Sequence, residues 1–134
     1  MKNDKNILII DNSQTTLILL EWFLKSQGYN TMIATDVKEA MIQADIKNPD
    51  LILLELRLPG ISGFDFLKMV KFNSDCMNIP ILVISALNSK ETIKKAHLLG
   101  ADGFVSKPII LNDLLIKIES ILKLSYSSFE NISI

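Results

Sequence analysis

Residues 51–60 read Leu-Ile-Leu-Leu-Glu-Leu-Arg-Leu-Pro-Gly. A strand with four apolar residues in a row has no face to offer to water. Such a run fits a parallel sheet with helices on both sides. Its one acid, Glu55, then falls at the C-terminal end of the strand, just before the chain breaks at Pro59-Gly60. Open α/β sheets place their ligand crevices along that edge. Taken alone, Glu55 is an acid capping an exposed strand end, so the other strand ends decide whether it belongs to a site.

Four more strands are expected from short apolar runs. They are Asn6–Ile10, Asn30–Thr35, Ile79–Ser85 and Gly103–Ser106. Pro80 sits near the beginning of its run, where a missing N–H is tolerated. Helix-period segments alternate with the strands. The first helix is expected from about Ser13 to Gln27, capped by Asp11-Asn12-Ser13 and stopped by Gly28. Its spacing turns Thr16, Leu19, Leu20, Phe23 and Leu24 to the sheet and leaves Leu17, Ile18 and Trp22 outside. A second helix, capped by Thr35 or Asp36, runs through Ala40, Ala44 and Ile46 and ends before Pro49. A third covers about 64–72, with Phe64, Leu67 and Val70 inward, and 73–78 is a polar connection. A fourth runs from about Lys90 to Leu99 and stops at Gly100. The last begins near Asn112 with Leu114, Ile118, Ile121 and Leu122 on one face. The stretch 123–134, rich in Ser and Asn, reads as a tail or the start of a linker after a domain spanning 1–122. Five strands alternating with five helices predict a doubly wound, flavodoxin-like (βα)5 parallel sheet.

Composition narrows the class. The chain has 134 residues and a net charge of −1, which suits one domain and does not suit a strongly basic nucleic-acid binder. Cys76 is the only cysteine, so no internal disulfide forms, and its neighbours in sequence do nothing to activate it. No apolar run approaches the ~20 residues of a membrane span. The expectation is a soluble cytoplasmic protein without membrane association. His97 has no ligand partner one helical turn away and reads as a surface or packing residue.

In a parallel sheet all strand C-termini lie along one edge. Asp11 with Asn12, Glu55, Ser85 and Lys107 all fall at such ends, and their coincidence points to one shared site. Around Ile7–Ser13, Leu51–Gly60, Ile81–Ala86 and Gly100–Pro108 the chain resembles response-regulator receiver domains, the CheY-like phosphoacceptor switches of two-component signalling. The resemblance covers about Lys5–Leu122, with the motifs in the family's order and spacing. It implies a phosphorelay module of bacterial type, a switch or docking module and not an enzyme with turnover. By resemblance Asp11 matches the first acidic position of the Mg²⁺ pocket, Ser85 the switch hydroxyl, Phe104 the switch aromatic and Lys107 the phosphate-binding lysine. Arg57 falls where the family offers a backbone carbonyl to the metal. The bond before Pro108 is usually cis in the family, which would help aim Lys107 inward.

Two positions depart from the family's pattern. Asn12 stands at the second acidic position, where an amide keeps an oxygen and loses a charge. Glu55 stands at the phosphoacceptor aspartate's position. Its extra methylene advances the carboxylate by about 1 Å, and a misplacement of that size can cost on the order of 10²-fold in rate. Acyl-phosphate chemistry needs a metal and a cation to neutralise the developing charge, and Mg²⁺ takes oxygen ligands such as these. Weakened Mg²⁺ binding through Asp11, Glu55 and the Arg57 carbonyl is therefore expected. A carboxylate placed further out can instead pair with Lys107, with Ser85 or Arg57 as further partners, and imitate the phosphorylated state in part. The expected function is a degenerate receiver, a pseudo-receiver that binds partners without a phosphorylation cycle. A plainer alternative is a buried Glu55–Lys107 pair that only fixes the sheet edge. Two rivals are a working Mg²⁺-dependent phosphoacceptor using Glu55 and a flavodoxin-like cofactor binder or small enzyme. The second is disfavoured because Asp11-Asn12-Ser13-Gln14 contains no glycine to cradle a phosphate.

The resemblance also implies partners: a histidine kinase, a phosphotransfer protein, an effector, or a second copy of the chain. The family commonly uses the face formed by the fourth helix, the fifth strand and the last helix, which here carries Leu115 and Ile116. Outward Trp22 marks the first helix as a second candidate surface.

Overall fold

The computed structural model describes the backbone of residues 4–72, 76 and 78–133, and side chains up to residue 122. Ten elements follow in strict alternation: β1 (Asn6–Ile10), α1 (Gln14–Ser26), β2 (Asn30–Ala34), α2 (Val37–Lys47), β3 (Leu51–Leu54), α3 (Gly63–Lys71), β4 (Ile81–Ser85), α4 (Lys90–Leu98), β5 (Gly103–Ser106) and α5 (Leu111–Ser133). The five strands form one sheet in the order β2-β1-β3-β4-β5, and every pairing is parallel. This is the doubly wound flavodoxin-like arrangement, with β3 at its centre.

Alternate side chains of each strand feed two separate cores. Leu8, Ile10, Ile52, Leu54, Ile81 and Val83 pack beneath α2, α3 and α4. Ile7, Ile9, Leu51, Leu53, Leu82 and Ile84 pack against α1 and α5. The central strand is buried on both faces, which is why its sequence shows no alternation. Each of the first four helices starts at a side-chain cap: Ser13, Asp36, Ser62 and Ser89 accept the N–H of the residue three positions on. α1 gives way to Gly28, whose φ of 92° is open to glycine at little cost.

Two expectations need correction. In α1 it is Leu17, Leu20 and Leu24 that are buried, while Leu19 is exposed. Ile18 and Trp22 point outward as expected, 66% and 64% exposed. Apolar residues surround this helix on nearly all sides, so spacing alone did not fix its rotation. In α3 the first core residue is Phe66, and Phe64 is only partly buried. The α5 backbone runs on to Ser133, through the stretch read as a tail. The connection expected at 73–78 lies mostly outside the described residues. Among the described residues, no helix is long and apolar enough to cross a membrane.

Candidate functional site

Backbone bonds hold the strand ends in register. The Asp11 N–H donates to the Ala34 carbonyl at 3.1 Å, Glu55 N–H to Ile10 at 2.9 Å, and Lys107 N–H to Ser85 at 3.0 Å. Asp11, Glu55 and Lys107 are thereby lined up just past β1, β3 and β5. Neighbouring strands lie about 4.8 Å apart, so Lys107 must reach across β4 to meet Glu55. The residue in its way is Ser85, small and fully buried. The Lys107–Pro108 bond is cis, as the family resemblance leads one to expect.

The reach is completed. Lys107 Nζ donates to Glu55 Oε1 at 2.8 Å and to Asp11 Oδ2 at 2.9 Å. The two carboxylate side chains are 4% and 7% exposed, and the lysine 19%. The second Glu55 oxygen turns back on its own chain: Oε2 accepts the Leu56 N–H at 2.6 Å and the Arg57 N–H at 3.3 Å. Asp11 Oδ1 accepts the Ser13 N–H at 2.9 Å. The Ser85 oxygen accepts the Leu87 N–H at 3.1 Å. Among the described residues, every buried side-chain polar atom has a partner.

Charge follows this geometry. Burial pushes the Glu55 carboxyl up. Hydrogen bonds from Lys107 and Ser85, the lysine charge and the Arg57 N–H together outweigh burial and hold it below the ordinary 4.5. Burial likewise pushes the Lys107 ammonium down. Its bonds to Glu55 and Asp11 and the charge of both carboxylates overcome that and raise it above 10.5. Glu55 and Lys107 therefore face each other as carboxylate and ammonium at neutral pH.

Asp11, Glu55, Ser85 and Lys107 thus form one cluster. Phe104 is buried, 8% exposed, in the core beneath α4 and next to Val83. Asn12 is exposed, and so is Arg57, whose contribution to the cluster is its backbone N–H. The Leu56 and Arg57 amides escaped sequence reasoning as donors. The only available signal was the Pro59–Gly63 turn, which returns the chain so that Gly63 N–H meets the Leu56 carbonyl at 2.9 Å.

The oxygens around the cluster are of the type Mg²⁺ takes, but their charge is already committed. Asp11 and Glu55 both bind Lys107, and the third position is the neutral, exposed Asn12. Among the described residues no group of three or more His, Cys, Asp or Glu could hold a metal ion. Asp11, Glu55 and the Arg57 carbonyl are the oxygens that could hold Mg²⁺, with Lys107 bound to both carboxylates.

The description of the response regulator receiver domain matches residues 7–119. The chain is 30% identical over 122 residues to the alkaline phosphatase synthesis transcriptional regulatory protein PhoP of Bacillus subtilis, covering 91% of this chain and 50% of that protein. It is 27% identical over 118 residues to the polar-differentiation response regulator DivK of Brucella ovis, covering 88% of this chain and 96% of DivK. Among solved structures it superposes on the chemotaxis response regulator CheY4 of Vibrio cholerae with a TM-score of 0.84 and 28% identity, over 90% of this chain and 100% of the other. The chain therefore spans about half the length of PhoP and nearly all of DivK. With its sheet order, its strand-end cluster and this match over residues 7–119, the chain belongs to the response regulator receiver domain family.

Proposed function

We propose that this receiver works as a pseudo-receiver, a protein-interaction module of two-component signalling that dispenses with a phosphorylation cycle. One observation carries the reading: both oxygens of Glu55 are already occupied, Oε1 by the Lys107 ammonium at 2.8 Å and Oε2 by the Leu56 and Arg57 amides. An acceptor carboxylate needs a free, correctly placed oxygen, with a cation left over to neutralise the incoming phosphoryl group. Here the side chain itself occupies the donors that a phosphoryl oxygen would use. Its negative charge partly imitates the modified state. Phe104, buried in the core, supports that reading. Asp11 and the Arg57 carbonyl are the remaining Mg²⁺ contacts, and the expected affinity is weak.

Partners in this reading are kinases, phosphotransfer proteins, effectors or a second copy. Two surfaces favour them. One is a cavity of about 310 Å³ beside β5 and α5, lined by Phe104, Val105, Pro108 and Ile110 among others. The other is the apolar outer stripe of α1 at Ile18 and Trp22. In this reading the receiver spans 1–122, and 123–134 is a tail or the start of a linker.

The test is to incubate the chain with acetyl phosphate and Mg²⁺, and separately with a histidine kinase, and to follow its intact mass. No phosphoryl adduct is expected. Stoichiometric phosphate on Glu55 would refute the proposal and leave the working phosphoacceptor standing.

A further inference from the structure

Two contacts join the Glu55 turn to α4 by way of α3, and neither passes through Ser85 or Phe104. The first lies at Gly63, where α3 begins. Its N–H donates to the Leu56 carbonyl at 2.9 Å. A Cβ at Gly63 would overlap the Glu55 carbonyl oxygen and stand 2.7 Å from Leu56 Cα. Only glycine lets α3 start directly against the backbone that carries the acid. The same Leu56 gives its N–H to Glu55 Oε2 at 2.6 Å. Leu56 is therefore held by the Glu55 carboxylate through its N–H and by α3 through its carbonyl.

The second contact is one residue further on. Lys95 of α4 places its ammonium over the Phe64 ring, 4.2 Å from the centroid, within the range of a cation–π attraction. α4 buries a single side chain completely, Ala96. Ile93 adds a partly buried contact with the same core, so α4 is lightly seated, and lightly buried elements are the first to move.

We propose that α3 carries the charge state of Glu55 to α4, through the Leu56–Gly63 contact and the Phe64–Lys95 clasp. Neutralising Glu55 weakens the charge-assisted bond that holds the Leu56 N–H. The turn then relaxes, α3's first turn follows through Gly63, and Phe64 shifts beneath Lys95. α4, the most weakly anchored helix of that layer, takes up the change. This coupling rests on Glu55 being the charge that closes the site, as proposed above.

A double-mutant cycle tests it. Amide hydrogen exchange across α4 is measured in the full chain for wild type, Glu55→Gln, Lys95→Met and the double variant. The slowest amides of β1 and β3 serve as the global reference. Lys95→Met keeps the apolar stem and removes the charge. It is expected to speed α4 exchange about two- to fivefold, whereas Lys95→Arg, which keeps a cation over the ring, leaves it unchanged. Glu55→Gln is expected to alter α4 exchange in the wild-type background and to have no such effect once Lys95 is Met. Should the β1 reference show that Glu55→Gln loosens the whole sheet, the four proteins are compared at matched global stability, with urea added to the more stable ones, and the expectation is the same. Additive effects, or identical behaviour of Lys95→Arg and Lys95→Met, overturn the coupling. Phosphate on Glu55 would refute the function proposed above, and an additive cycle in unphosphorylated protein would refute the coupling alone.

Discussion

Lys107→Met isolates what the central cation does. The substitution keeps the apolar stem and removes the charge that neutralises two carboxylates buried to 3% and 6% exposure. Breaking a fully buried ion pair costs about 3–5 kcal/mol, and an exposed pair is worth about 0–1 kcal/mol. Lys107 is 19% exposed, which places it nearer the buried limit. Glu55 keeps its Leu56 and Arg57 donors and Asp11 keeps Ser13, which softens the loss. A cost of about 2–3 kcal/mol at pH 7 follows, or a fall in Tm of about 6–12 °C for a domain of this size.

The pH dependence gives the sharper test. In the native protein the Glu55 carboxyl is lowered from 4.5, so its stabilisation is present above 4.5 and is lost as pH falls through the folded value. Lys107 is raised from 10.5, so its share is complete below 10.5 and is lost as pH rises through the folded value. Without Lys107, burial is opposed only by the Ser85 and Arg57 bonds, so the Glu55 carboxyl rises relative to wild type. The variant then gains relative stability in acid, and the deficit is greatest at neutral pH and shrinks towards pH 4. Urea unfolding followed by far-UV circular dichroism measures both quantities, whereas the exposed Trp22 is a poor reporter of the core. A deficit below about 0.5 kcal/mol at pH 7, or one that stays constant between pH 4 and 7, would refute this account of the site.

Glu55→Asp combined with Asn12→Asp should free Lys107 and restore the third carboxylate; the double variant is expected to bind Mg²⁺ at least tenfold more tightly than wild type by isothermal titration and to take phosphate from acetyl phosphate, and failure of both would place the defect elsewhere. Leu53→Ala, in the centre of β3 at 1% exposure, should cost about 2–5 kcal/mol in urea unfolding, and a loss under 1 kcal/mol would contradict the two-sided burial of the strand. Trp22→Ser should change stability by no more than about 0.5 kcal/mol, because the indole is 64% exposed. If α1 is a docking surface, the same variant weakens binding to the partner histidine kinase by tenfold or more in a titration, and unchanged affinity would remove α1 from the interface.

The cluster was legible in outline because parallel topology forces strand C-termini onto one edge. Once β1, β3, β4 and β5 were placed, Asp11, Glu55, Ser85 and Lys107 had to be neighbours. Asn12 and Glu55 stood out as departures for the same reason. The Leu56 and Arg57 amides were not legible, because a backbone N–H carries no signature in the sequence, and its direction depends on how the turn to Gly63 closes. Nor was the Phe64–Lys95 contact, which joins residues 31 positions apart on helices whose spacing only packing sets.

The sequence by itself determined the order of the elements, the parallel sheet, the double-sided core and which polar residues share an edge. Those follow from runs of apolar residues and their punctuation, which act locally and repeat. Tertiary structure decided the rotation of α1, which buries Leu17 and exposes Leu19, because apolar residues lie nearly all around that helix and only the sheet selects a face. It also decided where the Glu55 carboxylate points. The extra methylene allows several directions, and the choice fell to donors brought together from β5 and from the turn after β3: one oxygen meets Lys107, the other folds back on the amides of Leu56 and Arg57.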